Sequence, residues 1–265
     1  MTPQTLLAHN DSGQLWPAAP STRPGFDMAA SYQQALAVRN LRVARGELPR
    51  GYKIGFTNRQ IWPRYNVFAP IWGTVWDTTL ALCENEESMS LTYICQPRIE
   101  PETVFCMAST PPANASLEDL FRAIAWVAPG FEVVQSHMPD WKFTALDTVV
   151  DGGLHARLLV GRTRPVGEIA ASAAQLDDLL AAAKVTLYNG NQVVDHGAGA
   201  NVLDSPLRAL HYFLQQLRAC PGATDLMPGD VITTGTWTDA WPIKPGERWN
   251  AEFSSVLPPL AVAFR

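Results

Sequence analysis

Between residues 27 and 47 the chain reads DMAASYQQALAVRNLRVARGE, with Ala30, Tyr32, Ala35, Leu36, Val38, Leu41 and Val43 forming a rough apolar stripe. That spacing predicts a helix, and its basic residues sit late, where the helix dipole favours them. A weaker helical pattern covers residues 3 to 16, and residues 58 to 66 read as a further short helix. GYKIGF is a short strand bounded by glycines, and APIWGTVWDTTL is rich in Trp, Val and Thr, as strands are. From about residue 90 the pattern turns mainly to β, with LTYIC, PRIEPETVFCM, GFEVVQS, RLLVG, KVTLYNGNQVVDHG, DVITTGTW and ERWNAEFSSV as predicted strands. Within YNGN, Asn189-Gly190 predicts a type I′ hairpin turn. Helices are predicted over residues 116 to 126, 169 to 183 and 205 to 218; Ser116 with Asp119 three residues on opens the first as a cap.

Many strands and few helices, without regular βαβ alternation, predict an α+β fold around a curled, mostly antiparallel sheet. The helix-richer residues 1–80 are expected as an N-terminal cap portion, and residues 81–265 as the catalytic domain.

Composition narrows the function classes. The chain has 265 residues, 47% hydrophobic and 17% charged, which suits a globular protein with a sizeable core. Net charge is −5 and no basic patch stands out, which argues against a nucleic-acid partner. MTPQTLLAHNDSGQLWPAAP has neither a basic start nor a long apolar run, so no signal peptide is read there, and no apolar run is long enough for a membrane span. Cys83, Cys95, Cys106 and Cys220 form no CxxC pair, so the usual zinc spacing is missing and reduced thiols in the cytoplasm are expected.

The candidate chemistry begins at QPRIEPETVF. Glu100 and Glu102 are two apart on a strand, so their carboxylates share a face and repel. Exposure or pairing with Arg98 would relieve them. So would a divalent cation, since Mg²⁺, Mn²⁺ and Ca²⁺ take oxygen ligands. Glu132, in the apolar GFEVVQS, is either an exposed strand acid or a third ligand. Lys53 in GYKIGF could snorkel to solvent, bind an anion, or move protons with a pKa lowered by desolvation. Asp77 reads as a strand-end turn former, Asp147 and Asp151 as turn and cap residues. Amides at the Gly235–Thr236 turn could hold a carboxylate. The five histidines show no ligand spacing; no Ser-His-Asp constellation, GxSxG or phosphate loop is present.

GYKIGFT, PRIEPETVF, GFEVVQS followed by LDTVVDGG, GAGANVLDSPLRAL and GDVITTGTWTDAWPIKPGE occur in that order. Together, over roughly residues 27 to 265, they resemble the hydratase/decarboxylase branch of the fumarylacetoacetate hydrolase superfamily. The resemblance implies a distorted mixed β-roll with a smaller N-terminal α/β portion. It implies Mg²⁺ or Mn²⁺ held by Glu100, Glu102 and Glu132, proton transfer by Lys53 and Asp77, and a substrate carboxylate held at Gly235 and Thr236. The implied reaction is hydration of a 2-hydroxy-2,4-dienoate of the 2-keto-4-pentenoate type to a 4-hydroxy-2-oxo acid, in aromatic catabolism. Decarboxylation of a 2-oxo-enedioate or C–C hydrolysis is the alternative, and a non-catalytic keto-acid-binding subunit a further one. A homo-oligomer is expected, with a complex with another pathway enzyme as an added option.

Some positions depart from the family pattern. Pro101 stands between the two glutamates and predicts an edge or rim there. Gly152-Gly153 follows Asp151, and Asp204 stands in VLDSP, all toward the substrate side. Arg59, Arg64 and Arg157 are candidates for a second substrate carboxylate.

Overall fold

A computed structural model describes all residues, 1–265. In chain order the helices are α1 (Pro3–Ser12), α2 (Met28–Ala44), α3 (Trp62–Tyr65), α4 (Leu117–Ala123), α5 (Ala145–Val150), α6 (Val166–Ile169), α7 (Ala173–Ala182) and α8 (Pro206–Ala219). The first seven strands are β1 (Pro49–Gly55), β2 (Ile71–Trp76), β3 (Leu80–Leu82), β4 (Glu86–Met89), β5 (Arg98–Met107), β6 (Ile124–Val134) and β7 (His155–Val160). The remaining strands are β8 (Arg164–Pro165), β9 (Lys184–Asn189), β10 (Gln192–Ala198), β11 (Val231–Thr233), β12 (Trp241–Pro242), β13 (Arg248–Phe253) and β14 (Leu260–Phe264).

Two sheets form the β-roll. The larger runs β2-β1-β11-β5-β6-β7-β3, with β12 added to β5 and β8 to β6; the smaller runs β10-β9-β13-β14-β4. Most pairings are antiparallel, but β1–β11, β3–β7 and β4–β14 are parallel, so the sheets are mixed. Residue 80 lies within this larger sheet: β1 and β2 precede it, and β11, which pairs with β1, comes from the far part of the chain.

The helices begin where local chemistry places them. The Asp27 side chain accepts from Ala30 N at 2.8 Å and starts α2. Ser116 and Asp119 make the expected capping box before α4. α8 is strongly amphipathic: Leu207, Leu210, Phe213, Leu214 and Leu217 are buried in the main core. Truncating one such leucine to Ala would cost about 2–5 kcal/mol.

Three local expectations change. LTYIC forms a turn, not a strand: Ser90 Oγ accepts from Thr92 N at 3.2 Å and Tyr93 has φ +62°. The nearby strand is instead β4. The β9–β10 hairpin turns one residue later than expected, on Gly190-Asn191, because Asn189 already pairs with Gln192. Only Gly190 has positive φ (+58°), which fits a type II′ turn rather than I′. Pro101 lies in an internal strand, β5, not on a sheet edge. β11 pairs with β5 at residues 104–106 and β12 at residues 98–99, leaving a gap between them. The Pro101 carbonyl accepts from Trp237 N at 3.1 Å, so its backbone faces that gap, where no ladder bond needs an amide.

Candidate active site

The β5–β6 register explains the acids. Glu100 lies directly opposite Glu132, and Glu102 follows two residues on, on the same face. Directly opposed like charges destabilise a strand pair. Glu102 and Glu132 are fully buried and Glu100 is half-buried. One carboxylate oxygen from each can be chosen so that all three lie within 4.8 Å of one another.

The two buried glutamates share a pattern. In Glu102, Oε2 accepts from Gly235 N at 2.6 Å and from the Thr233 hydroxyl, while Oε1 has no partner. In Glu132, Oε1 meets His155 Nδ1 at 2.9 Å, while Oε2 lies 3.2 Å from Lys53 Nζ without a well-aligned hydrogen bond. Each therefore has one oxygen hydrogen-bonded to protein and one without a hydrogen bond, that of Glu132 facing Lys53. An orphaned buried carboxylate oxygen is costly, and a cation is what satisfies it. The donor set is all oxygen, which suits Mg²⁺, Mn²⁺ or Ca²⁺. These residues fit a divalent ion.

The electrostatics agree. Burial, together with the charges of its neighbours, raises the Glu100 carboxyl to about 7, partly offset by Lys53. Burial and the two other glutamates push Glu102 well above the usual carboxylate range. Burial would raise Glu132 too, but Lys53 and His155 hold it low. For Lys53, burial disfavours the ammonium, yet the three glutamates outweigh it and raise its pKa. The lowering that desolvation alone would give is thus outweighed: Lys53 is held charged.

Lys53 Nζ also donates to the Gly153 carbonyl at 2.8 Å. This close approach depends on glycine. Gly153 has φ +71°, and a Cβ there would meet Lys53 Cδ at 2.9 Å. A Cβ on Gly73 in β2 would overlap the Gly152 carbonyl. The Gly152-Gly153 departure thus seats the lysine.

Lys53, Glu100, Gly153, Gly235 and Thr236 line one pocket of about 380 Å³. Its apolar wall is Phe56, Tyr65, Phe143 and Trp141. Successive rings lie 4.8, 5.7 and 5.9 Å apart. Thr236 lines the pocket, but its hydroxyl donates to the Thr238 carbonyl at 3.0 Å. The Gly235 amide serves Glu102, not a free carboxylate site.

Asp77 is not brought to this pocket. It is exposed at the Trp76 end of β2, accepting from Leu48 N and Thr78 N at 3.0 Å each. β2 pairs Gly73 with Lys53 and runs away from the site toward Trp76, so Asp77 keeps its turn role. His155 is the site residue that spacing missed: it is a lone histidine whose partner lies 23 positions away. Only the β6–β7 register joins them.

The chain is similar to known proteins in sequence and fold. The chain is 30% identical to the 2-keto-4-pentenoate hydratase of Burkholderia vietnamiensis over 84% of its length and 81% of that protein. It is 28% identical to a 4-oxalocrotonate decarboxylase of a Pseudomonas species over 83% of its length and 82% of that protein. The solved 4-oxalocrotonate decarboxylase from Pseudomonas putida G7, complexed with magnesium and adipate, superposes with TM-score 0.87 at 23% identity, covering 100% of this chain and 99% of that one. Residues 72–261 match the fumarylacetoacetate (FAA) hydrolase C-terminal family, and the chain, with its curled mixed sheets and glutamate cluster, belongs to that family.

Proposed function

We propose that this protein is a divalent-metal-dependent lyase that hydrates a 2-hydroxy-2,4-dienoate to a 4-hydroxy-2-oxo acid. The observation that carries the reading is the three-glutamate cluster, with two buried oxygens that lack hydrogen-bond partners, behind an aromatic-walled pocket that Glu100 and Lys53 line. Glu100, Glu102 and Glu132 would hold Mg²⁺ or Mn²⁺. Three carboxylates and one ammonium leave two negative charges, which one such ion balances. When bound, the ion supplies Lewis acidity toward a 1-carboxylate and 2-oxygen. The wall of Phe56, Tyr65, Phe143 and Trp141 holds the flat carbon chain and limits bulk water. With Asp77 outside, Lys53 Nζ is the group placed to deliver a proton to that chain and recover one from the added water. Relatives named for hydration and for decarboxylation both support a lyase.

A second reading, decarboxylation of a 2-oxo-enedioate, is favoured by two arginines. Arg64 and Arg98 line the pocket and neither has a carboxylate within ion-pair distance; Arg98 stacks on Trp141 at 4.3 Å. They suit a second substrate carboxylate. Of the other candidates, Arg59 is paired with Asp204 at 2.6 Å. Arg157 donates to the Ala156 carbonyl and lines a different cavity. In this reading the far carboxylate leaves as carbon dioxide, its electron pair passes into the 2-oxo system, and Lys53 returns a proton to carbon.

The substrate is read as a small oxo acid and the protein as a cytoplasmic homo-oligomer. Its four cysteines are free, and no helix is long and apolar enough to cross a membrane.

The test is loss of the ultraviolet absorbance of 2-hydroxypenta-2,4-dienoate by metal-stripped protein, before and after Mg²⁺. Mg²⁺-dependent loss with 4-hydroxy-2-oxopentanoate as product is the expected result. Turnover only of a 2-oxo-enedioate, with carbon dioxide release, selects the decarboxylase. Binding of either acid without turnover returns the non-catalytic reading.

A further inference from the structure

We propose that His155 is a positioning residue: it pins one oxygen of Glu132 so that the other is committed to the metal ion. This rests on the metal-site reading above. The imidazole of His155 is buried and anchored at both nitrogens. Nδ1 lies 2.9 Å from Glu132 Oε1, and Nε2 lies 2.8 Å from Thr79 Oγ1. That hydroxyl is itself tied to the backbone, accepting from Trp76 N at 3.1 Å and lying 3.2 Å from the Trp76 carbonyl.

The chemistry fixes the ring's orientation. A glutamate that serves as a ligand has no proton, so Nδ1 must carry the hydrogen and donate it. In a neutral ring Nε2 then accepts from the Thr79 hydroxyl. A rigid chain runs from the turn between β2 and β3, through Thr79 and His155, to Glu132. The same division of labour is built differently at Glu102, where Thr233 and the Gly235 amide hold Oε2 and leave Oε1 free. Glu100 accepts no comparable bond and opens to the pocket. The centre thus has two oriented carboxylates and one adjustable carboxylate on the substrate side. Partners of this kind orient a ligand and raise its basicity, and their loss typically costs about 10–100-fold in metal affinity.

The experiment is titration of chelator-stripped protein with Mn²⁺ alone, by calorimetry, for wild type, His155→Ala, His155→Asn and Thr79→Val. Circular dichroism and thermal unfolding in chelator confirm each fold. Asn keeps a donor near the Nδ1 position. The expected result is a loss of about 10–100-fold in Mn²⁺ affinity for His155→Ala, substantial recovery in His155→Asn, and a smaller loss in Thr79→Val. Wild-type affinity in a folded His155→Ala overturns the inference. Equal losses in the Ala and Asn variants also overturn it, since the donor would not matter. If His155→Ala does not fold, His155→Asn and Thr79→Val decide: near-wild-type affinity in Asn with a measurable loss in Val supports it, and no loss in Val overturns it. Absence of Mn²⁺ binding by the wild type overturns the metal-site reading itself, which separates that failure from this one.

Discussion

Two buried imidazole–carboxylate pairs lie in this protein, and their imidazole pKa values are shifted in opposite directions. His155 Nδ1 meets Glu132 at 2.9 Å, and His137 Nδ1 meets Asp151 at 2.6 Å. Burial disfavours the imidazolium in both. For His155 it wins, because Lys53 and Arg42 add their positive charge against the pull of Glu132, and the pKa falls. For His137 the Asp151 carboxylate outweighs burial and the pKa rises. Asp151 also accepts from the His137 amide at 2.9 Å, and the ring stacks on Trp16 at 5.6 Å. One contact thus serves two ends. Near Lys53 it orients a carboxylate whose other oxygen faces the lysine without a well-aligned hydrogen bond; beside Trp16 it ties the N-terminal segment to the turn after α5.

The strongest way to break this comparison is to remove the shared carboxylate at the site. Glu132→Gln is expected to lower Mn²⁺ affinity by more than about 100-fold, beyond the range for outer partners, and to abolish turnover. Retained Mn²⁺ affinity, measured by calorimetry, would remove Glu132 from the ligand set. The counterpart is His137→Leu, which leaves Asp151 buried without its partner. About 3–5 kcal/mol of stability should be lost, read by urea unfolding, with Mn²⁺ affinity within about two-fold of wild type. A fall in affinity matching that of His155→Ala would erase the distinction between the pairs.

Protons sharpen it further. In chelator, Glu100 is raised to about 7 from its ordinary 4.5. The folded, metal-free protein therefore binds protons that the unfolded chain does not, and its stability falls as pH rises across that window. Unfolding temperatures in chelator should drop between pH 5 and 7, and saturating Mg²⁺ should flatten the profile. A flat profile in chelator would contradict the burial, and the repulsion by Glu132, that raise Glu100. The smallest effect belongs to His137. Its folded pKa lies above the ordinary value, so its contribution is fully present below about 6.5 and is lost as pH rises through the folded pKa. The stability gap between wild type and His137→Leu should narrow from pH 6 to pH 9; a gap that widens would mean that the pair is not ionised.

The glutamate cluster was legible because it uses the shortest rules of a strand. Glu100 and Glu102 share a face by alternation, and Glu132 sits on the adjacent predicted strand. What the sequence could not show is register and direction. Asp77 stands at the end of the right strand but on the wrong side of Lys53, since β2 runs away from the pocket. The Gly235 turn reads as a holder of a carboxylate, and the carboxylate its amide holds is the protein's own Glu102. The lysine's charge state is not legible in the sequence because burial is visible in an apolar flank, whereas three facing acids are not. His155 carried no local signal at all.

The parallel pairing of β1 with β11 has a consequence for how the protein is made. Lys53 is translated early, but its strand is completed on one side only by residues 231–233. Glu102 likewise waits for Thr233 and Gly235 to hold it. Chains emerge at about 5–20 residues per second and tend to fold from the N-terminus. A ribosome-bound chain that stops short of residue 235 therefore has its acids and its lysine, but no finished seat for either.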